Sequence, residues 1–345
     1  MTAPMAVALI GYGAWGRYHA RALAATPSAR LTVIAARGEA ASTAGADWPQ
    51  ARVLGDWREA VADPAIEAVF VAVPNHLHAE VALAALGAGK HVLLEKPMAL
   101  TLAACDALVA AARASGRVLT IGHELRLSTQ FGRIAALIDE GAIGRPEAVQ
   151  ISLFRFPYRS GAGGWRYDRA RVGSWLLEEA VHHADLALWW LRASGEPVSL
   201  RADTVGDPAM PRAFSATLRF ADGAAATLVN TVAGFEHHLS VAVIGESGSI
   251  RALWSAAMDR AETATASLHL FRGRAAPGAR AEALDFAPSG EVHELATQAE
   301  RAIRGFRAGR ALVTPEEGRA AVAACLLAER SAREGREIAW REACG

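Results

Sequence analysis

The chain has few cysteines and no long hydrophobic run, and each shortage excludes a class of protein. The three cysteines, Cys105, Cys325 and Cys344, lie far apart and form no CxxC pair, which favours reduced thiols in a cytoplasmic protein. Charged residues interrupt the most apolar stretch before it reaches the roughly 18 residues that a membrane-spanning helix needs. The first residues lack the basic and then apolar pattern of a secretory signal. We therefore expect no membrane partner.

An excess of charge of either sign is also missing. The 36 basic and 36 acidic residues balance to a formal net charge of zero, so the composition gives no electrostatic reason to expect nucleic acid as a partner. With 52% hydrophobic residues the chain can bury a substantial core, and its 345 residues favour two domains over one.

The hydrophobic pattern divides the chain into two regions. In the first third, short apolar runs alternate with alanine-rich helical stretches, which predicts a parallel sheet covered on both faces. After about residue 125 strands dominate, and Asp222-Gly223 between two of them predicts a hairpin. The second region therefore indicates a domain of a different type, with an antiparallel or mixed sheet.

A glycine-rich motif, Gly11-Tyr12-Gly13-Ala14-Trp15-Gly16, follows the first predicted strand and opens the first helix. This GxGxxG context is typical of dinucleotide binding. Gly11 allows the tight turn, Gly13 lets the backbone approach a pyrophosphate, and Gly16 lets helix and strand pack closely. The N–H groups of the helix N-terminus then hold the phosphates. The alternative is a glycine-rich turn that binds nothing.

Arg37 stands at the end of the second strand, where an NAD-binding protein would carry an acidic residue for the ribose 2′-hydroxyl. A guanidinium suits a 2′-phosphate, so the sequence favours NADP slightly over NAD. In the alternative interpretation Arg37 stacks on the adenine or points to solvent while NAD binds, and the nearby Glu39 keeps that interpretation open.

Two further strands end in polar segments, Pro74-Asn75 and Glu95-Lys96-Pro97. Ligands bind at the carboxyl ends of strands in open parallel sheets. An ammonium such as that of Lys96 can hold a substrate oxygen and stabilise an alkoxide as it forms. The alternative is a surface salt bridge between Lys96 and Glu95.

Residues Ser174 to Leu191 have helical periodicity, with Ser174 as N-cap. Glu178 and His182 are four residues apart and share a helix face, and Asp185 lies close to it. A histidine beside a carboxylate can take a hydroxyl proton, although the pair could instead only stabilise the helix. We predict no metal, because His183 lies elsewhere on the helix and no cysteine joins the group.

Three segments resemble the Gfo/Idh/MocA oxidoreductases, and the resemblance extends over nearly the whole chain. They are Pro74-Asn75-His76-Leu77-His78, Gly89 to Pro97, and Glu178 to Asp185. The resemblance implies an α/β Rossmann domain (1–125) followed by an α+β domain with a large open, mostly antiparallel sheet (126–345). It also implies a homodimer or homotetramer formed through that sheet.

The same resemblance implies roles for single residues. Lys96 would lie beside the nicotinamide and the reacting oxygen, and His182 would be the catalytic histidine. The cofactor would be held by Asn75 and Glu95, with Pro74 and His78 of the same segment. Glu178 and Ala180 stand where the family usually has Asp and Gly, and Glu178 would be the catalytic carboxylate beside His182.

Arginine and aromatic residues mark a possible substrate region. In the run 121–126, which departs from the family pattern, Arg126 matches well. Trp165 and Arg166 lie in a stretch that suits a sugar ring and a carboxylate, unless it is an ordinary solvated loop. With Asp185, these residues form our predicted substrate set. The sequence thus predicts an NAD(P)-dependent dehydrogenase or reductase of a sugar, sugar acid, polyol or cyclitol. The alternatives are a redox-neutral sugar-modifying enzyme with tightly held NAD and a non-catalytic NAD(P) sensor.

Overall fold

The computed structural model describes residues 3–261, 263–273 and 278–343, so Cys344 lies outside the described residues. The chain forms two compact units, each built from several stretches of sequence. Unit 1 comprises residues 1–124, 160–173 and 295–322, and unit 2 comprises residues 125–159, 174–294 and 323–345. Unit 1 therefore includes two stretches, 160–173 and 295–322, that come after the start of unit 2 in the sequence.

In unit 1 the described residues form a six-stranded parallel sheet in the order β3-β2-β1-β4-β5-β6. Its strands are β1 (Met5–Ile10), β2 (Ala29–Ala35), β3 (Arg52–Leu54), β4 (Ala68–Val71), β5 (His91–Glu95) and β6 (Leu119–Gly122). The helices are α1 (Ala14–Ala24), α2 (Glu39–Asp47), α3 (Trp57–Ala62), α4 (His78–Gly87), α5 (Leu102–Ser115) and the short α7 (Arg169–Val172). This is the strand order of the Rossmann fold, which confirms the predicted α/β class.

The core of unit 1 is closed by a helix from the far end of the sequence. Apolar side chains of the central strands, such as Leu9 and Phe70, are fully buried. They belong to one cluster with Leu295, Ile303 and Phe306 of α9 (Glu291–Ala308). The ring of Phe306 meets that of Phe70 edge-on at 6.5 Å, so α9 completes the core of unit 1.

In unit 2 the described residues form a nine-stranded sheet in the order β14-β13-β12-β11-β7-β10-β9-β8-β15. The strands are β7 (Pro146–Phe154), β8 (Pro197–Val205), β9 (Ala213–Phe220), β10 (Ala225–Thr231), β11 (His237–Gly245), β12 (Gly248–Ala256), β13 (Thr265–Arg272), β14 (Glu282–Ala283) and β15 (Ile338–Ala339). Only β7 and β10 pair in parallel among these described strands, so the sheet is mostly antiparallel as predicted. The β9–β10 hairpin at Asp222-Gly223 is confirmed.

The large sheet has one buried face and one face of small and polar side chains. On β7, Val149, Ile151 and Leu153 are buried, whereas Gln150 and Ser152 between them are exposed. Alternation of this kind places every second side chain on the same face. Helix α6 (Phe131–Asp139) and helix α8 (Val181–Trp190) contribute further buried side chains to unit 2.

The helices α8 and α10 (Pro315–Glu334) begin in different ways. The predicted helix from Ser174 begins as a π-turn over Leu176–Ala180, and only then continues as α8. Helix α10 starts with a capping box, because the Thr314 N–H donates to Glu317 Oε2 at 2.8 Å and the Glu317 N–H donates to Thr314 Oγ1.

Candidate functional site

The three glycines of the motif after β1 have different structural roles. A Cβ on Gly11 would lie 2.3 Å from the carbonyl oxygen of Ala72, and Gly11 has a positive φ of 102°. A Cβ on Gly16 would lie 2.1 Å from the carbonyl oxygen of Gly11. A Cβ on Gly13 would meet nothing within 4 Å. Gly11 and Gly16 are thus needed for the turn itself, whereas Gly13 faces open space that a ligand can enter.

The start of α1 offers the chemistry that a diphosphate needs. Gly13 is the N-cap and provides no side-chain cap, and the first turn, which begins at Ala14, contains no acidic residue. Uncapped N–H groups and the positive end of the helix dipole attract an anion. The backbone of Gly13 and Ala14 would therefore hold the phosphates of a dinucleotide.

The aromatic residues of this motif have structural contacts. The hydroxyl of the buried Tyr12 donates to Asp47 Oδ2 at 2.7 Å and accepts from the Trp48 indole N–H at 2.7 Å. The Trp15 ring packs against Tyr18 and His19. Any contact of Tyr12 with a cofactor would therefore come from its backbone.

Arg37 is exposed directly after β2. Its Nε donates to the Gly55 carbonyl at 3.2 Å, which uses one of the five N–H donors of the guanidinium. The structure thus places a cation at the strand end where the 2′ position of the adenosine ribose is read in this fold.

The segment after β4 is tied to neighbouring loops of unit 1. Asn75 is buried, and its Nδ2 donates to the Val172 carbonyl at 3.1 Å. The ring of His78 is also buried, with Nδ1 2.7 Å from the Pro97 carbonyl oxygen and Nε2 2.9 Å from the Val73 carbonyl oxygen. In the structure, His78 therefore connects the ends of β4 and β5.

Glu95 lies at the end of β5 and is buried, so it is not part of a surface salt bridge. Its Oε1 lies 2.7 Å from Nε2 of His19 on α1, and its Oε2 accepts from the Lys96 backbone N–H at 3.3 Å. Burial alone would raise the pKa of Glu95. The hydrogen bond with His19, the charges of His19 and Lys96, and a hydrogen bond from Trp15 together lower it. The carboxyl group is therefore ionised at neutral pH.

Lys96 is one of only two lysines in the chain. The other, Lys90, is buried and donates to the carbonyls of Asp63 and Ile66 at 2.7 and 2.8 Å. Lys96 is half-buried at the carboxyl end of the sheet, between the buried residues Glu95 and Pro97. It is thus the lysine in a position to act on a ligand.

In unit 2, Glu178 lies in the π-turn and His182 in the first turn of α8, and both are buried. π-turns inside helices are frequent at functional sites, because they shift the side chains that follow. The turn also changes the predicted relation of these two residues, since the i, i+4 face match assumes an uninterrupted α-helix.

The neighbouring His183 is unsuited to proton transfer near neutral pH. Its Nδ1 lies 3.2 Å from Asn230 Oδ1, and burial lowers the pKa of the imidazole to about 4, against the charge of Glu179. A group that stays neutral above that pH does not exchange protons in the physiological range. Of the two adjacent histidines, His182 is the candidate for acid–base chemistry.

Two predicted substrate residues pair with each other. Arg126 donates from Nε and Nη2 to the two carboxylate oxygens of Asp185 at 2.8 and 2.7 Å, and both side chains are buried. The Arg126 guanidinium also lies 5.2 Å from the centroid of the Trp189 ring. This bidentate pair holds α8 against the segment that precedes α6.

A second network of paired charges in unit 2 has no local signal in the sequence. Arg155, directly after β7, donates to Glu179 Oε2 at 2.5 Å and to Asp259 Oδ2 at 3.1 Å. These partners are 24 and 104 residues away in the chain, and no local motif reveals such a distance.

Trp165 and Arg166 lie in a 3₁₀ segment that belongs to unit 1. The Arg166 guanidinium stacks 4.6 Å from the centroid of the Trp165 ring, and both residues are half-buried. Gly161 has a positive φ, and a Cβ there would lie 2.5 Å from Trp165 Nε1, so glycine is needed for the indole to fold back.

The described residues lack two kinds of feature. They contain no group of three or more histidine, cysteine, aspartate or glutamate side chains arranged to hold a metal ion. Within the same residues, no helix is both long and apolar enough to cross a membrane.

Two family models match successive parts of the chain. Residues 5–123 match an oxidoreductase family with an NAD-binding Rossmann fold, and residues 131–251 match the Gfo/Idh/MocA C-terminal domain. The chain belongs to the Gfo/Idh/MocA family. This confirms the resemblance seen in the sequence motifs, while the roles of the single site residues stay predictions.

Named relatives of this Gfo/Idh/MocA protein act on sugars and cyclitols. This chain is 42% identical over 130 residues to 1,5-anhydro-D-fructose reductase of Ensifer adhaerens, and the match covers 37% of this chain and 38% of the relative. It is 32% identical over 187 residues to an NADP-dependent scyllo-inositol 2-dehydrogenase of Bacillus subtilis, covering 51% of each chain. The chain spans about half the length of the curated relatives it matches.

A solved structure of levoglucosan dehydrogenase with NADH and L-sorbose has the same fold. It matches with a TM-score of 0.84 at 23% identity, covering 99% of this chain and 100% of the other. At that identity the match supports the fold alone.

Proposed function

We propose that this protein transfers a hydride between a nicotinamide cofactor and a hydroxyl or carbonyl carbon of a sugar, sugar acid, polyol or cyclitol. The observation that carries the proposal is the arrangement at the carboxyl end of the six-stranded sheet. Open space at Gly13 and an uncapped helix start after β1 suit a dinucleotide, and Lys96 follows β5 at the same end of the parallel sheet. A bound nicotinamide supplies the hydride acceptor for oxidation and the hydride donor for reduction.

The protein's own groups manage the substrate oxygen and its proton. The Lys96 ammonium donates a hydrogen bond to that oxygen and stabilises the negative charge that develops on it. The His182 imidazole takes the hydroxyl proton during oxidation and returns it during reduction. Glu178 supports the charged imidazole.

The relatives' names support both the substrate class and net redox chemistry. They name reduction of an anhydro sugar and oxidation of a cyclitol, which favours a dehydrogenase or reductase over a redox-neutral enzyme or a sensor. Trp165 and Arg166 would suit a sugar ring that carries an acid group, because aromatic faces bind sugar rings and guanidinium binds carboxylate.

The first test is cofactor binding followed by turnover. Purified protein, checked for carried-over cofactor, is titrated with NADPH and NADH by nicotinamide fluorescence, and then screened with sugars, sugar acids and cyclitols. Lys96→Ala should lower kcat/KM by roughly 10²–10³-fold, as loss of one donor to a developing oxyanion does, with cofactor binding kept. Failure of both cofactors to bind, or full turnover by Lys96→Ala, would refute the proposal.

We infer that NADP is slightly preferred. Hydrogen bonds to charged groups contribute about 1.5–3 kcal/mol, so Arg37→Ala should weaken NADPH binding roughly tenfold to a hundredfold and leave NADH binding unchanged. Arg113→Ala, which removes an exposed partner of Glu316, is the matched control. Equal losses for both cofactors, or none, would make Arg37 a bystander.

We further propose a cytoplasmic homodimer or homotetramer, with functional domains at 1–125 and 126–345, that associates through the small and polar face of the nine-stranded sheet. Exposed side chains of that face include Gln150, Ser152 and Val229. Light scattering on wild-type protein and on Ser152→Arg tests the assembly. A lower mass for the variant supports it, and a monomeric wild type contradicts it.

A further inference from the structure

We propose that two buried histidines, His19 and His78, hold the Glu95-Lys96-Pro97 turn from its two sides and so position the Lys96 ammonium. The proposal rests on the proposed function only in taking Lys96 as the group that contacts the substrate. Neither histidine is one that the mechanism above uses.

The first contact lies on the side of Glu95. His19, on the second turn of α1, and Glu95 are both buried, with exposed side-chain fractions of 1% and 4%. Nε2 of His19 is 2.7 Å from Glu95 Oε1, and the other carboxylate oxygen accepts the Lys96 backbone N–H. A Cβ on Gly122 would lie 2.9 Å from Glu95 Oε1, so the glycine at the end of β6 provides the space that the carboxylate fills. The carboxylate is thus fixed on both oxygens.

The second contact lies on the side of Pro97. Nδ1 of His78 is 2.7 Å from the Pro97 carbonyl oxygen, while Nε2 is 2.9 Å from the carbonyl oxygen of Val73. The ring therefore ties the residue after Lys96 to the segment after β4. His78 is 1% exposed, which makes exchange of these contacts with water unfavourable.

The position of these contacts decides what they do. His19 contacts Glu95 and His78 contacts Pro97, the residues on either side of Lys96. The lysine side chain itself has four rotatable bonds, so these contacts fix only its backbone. An ammonium that stabilises an alkoxide must be held within about 0.5 Å of its productive position, and supporting contacts provide that precision. Glu95 also supplies a fixed negative charge beside the ammonium, because its pKa is lowered.

The shortage of lysine makes a direct test possible without any substrate. Protein grown with lysine labelled with ¹³C at the ε carbon should give two NMR signals, from Lys90 and Lys96, which Lys96→Arg assigns. In His19→Leu the carboxylate loses the contact that fixes Oε1, so the turn that carries Lys96 is held on the Pro97 side alone. The Lys96 line should then narrow, because the side chain becomes more mobile. The Lys90 line should not change.

Conservative variants separate positioning from general damage. His19→Gln keeps a donor where Nε2 was, and should restore the wild-type Lys96 signal. His78→Asn keeps a donor near Nδ1 for Pro97 and should also resemble wild type. His78→Gln keeps only the contact with Val73 and should narrow the Lys96 line through greater mobility. His91→Asn, in β5 but outside these contacts, is the control.

The outcomes distinguish this proposal from the proposed function. A Lys96 signal that is unchanged in both His19→Leu and His78→Gln overturns it, as does an equal change at Lys90 and Lys96. If His19→Leu does not fold, the comparison of His78→Asn with His78→Gln decides. The expected NMR pattern in a protein that binds no cofactor would support this positioning and refute the proposed reaction.

Discussion

The two units bury polar side chains in different ways. In unit 1 the predicted functional groups lie at the ends of successive parallel strands, and their partners are mainly backbone carbonyls, as for Asn75 and His78. In unit 2 the buried charges are paired, Arg126 with Asp185, and Arg155 with Glu179 and the half-buried Asp259. A charge that is already paired has less to offer a ligand. Unit 1 is therefore built to receive a ligand, whereas in unit 2 we expect chemistry from His182 and stability from the ion pairs.

The largest expected effect separates the two adjacent histidines of unit 2. His182→Asn should lower kcat/KM by roughly 10²–10⁴-fold, the range for loss of a general base. His183→Asn keeps a group near Nδ1 to face Asn230 and should cost less than tenfold. Steady-state kinetics of both variants with the substrate found by screening make the comparison. Similar losses in both would mean that the helix as a whole, not His182, is what the reaction needs.

The next largest effect is on the free energy of unfolding, and it shows whether the buried ion pair of unit 2 stabilises the fold. Asp185→Asn removes the carboxylate that pairs with the buried Arg126 guanidinium, which should destabilise the unit by about 3–5 kcal/mol. Glu140→Gln breaks the exposed pair with Arg133 in the same unit and should cost about 0–1 kcal/mol. Urea unfolding followed by tryptophan fluorescence measures both. If the two variants unfold at the same urea concentration, the buried pair does not stabilise the unit.

The same difference between the units decides what could be predicted from sequence. In unit 1 the strand ends, Gly11 to Gly16 and Glu95 to Pro97 are local signals, and the topology follows from strand and helix alternation. The sequence did not predict β8, β12 and β13, where single apolar residues alternate with polar ones, as in Leu268-His269-Leu270. The π-turn at Leu176–Ala180 lies inside a segment whose periodicity predicts one continuous helix.

Contacts between distant residues account for what else could not be predicted. The sequence predicts Arg126 and Asp185 as substrate residues, but their 59-residue separation conceals that they pair with each other. His19 had no motif of its own, although it lies one helical turn after Gly16. The return of α9 into the core of unit 1 depends on packing against Phe70, which no periodicity in α9 reveals.

The smallest expected effect is a loss of stability in acid caused by the buried His183 of unit 2. The pKa of His183 is about 4 in the folded chain, below the ordinary value of 6.5, because burial disfavours the charged ring. The unfolded state therefore binds more protons between these two values, and the stability present above pH 6.5 is lost as the pH falls toward 4. A shift of this size corresponds to a loss on the order of 3 kcal/mol. In His183→Asn the urea midpoint should fall less over that window, while His269→Asn, half-buried on β13, should behave as wild type. A wild-type slope in His183→Asn would assign the acid sensitivity to another group such as His237, whose pKa burial also lowers.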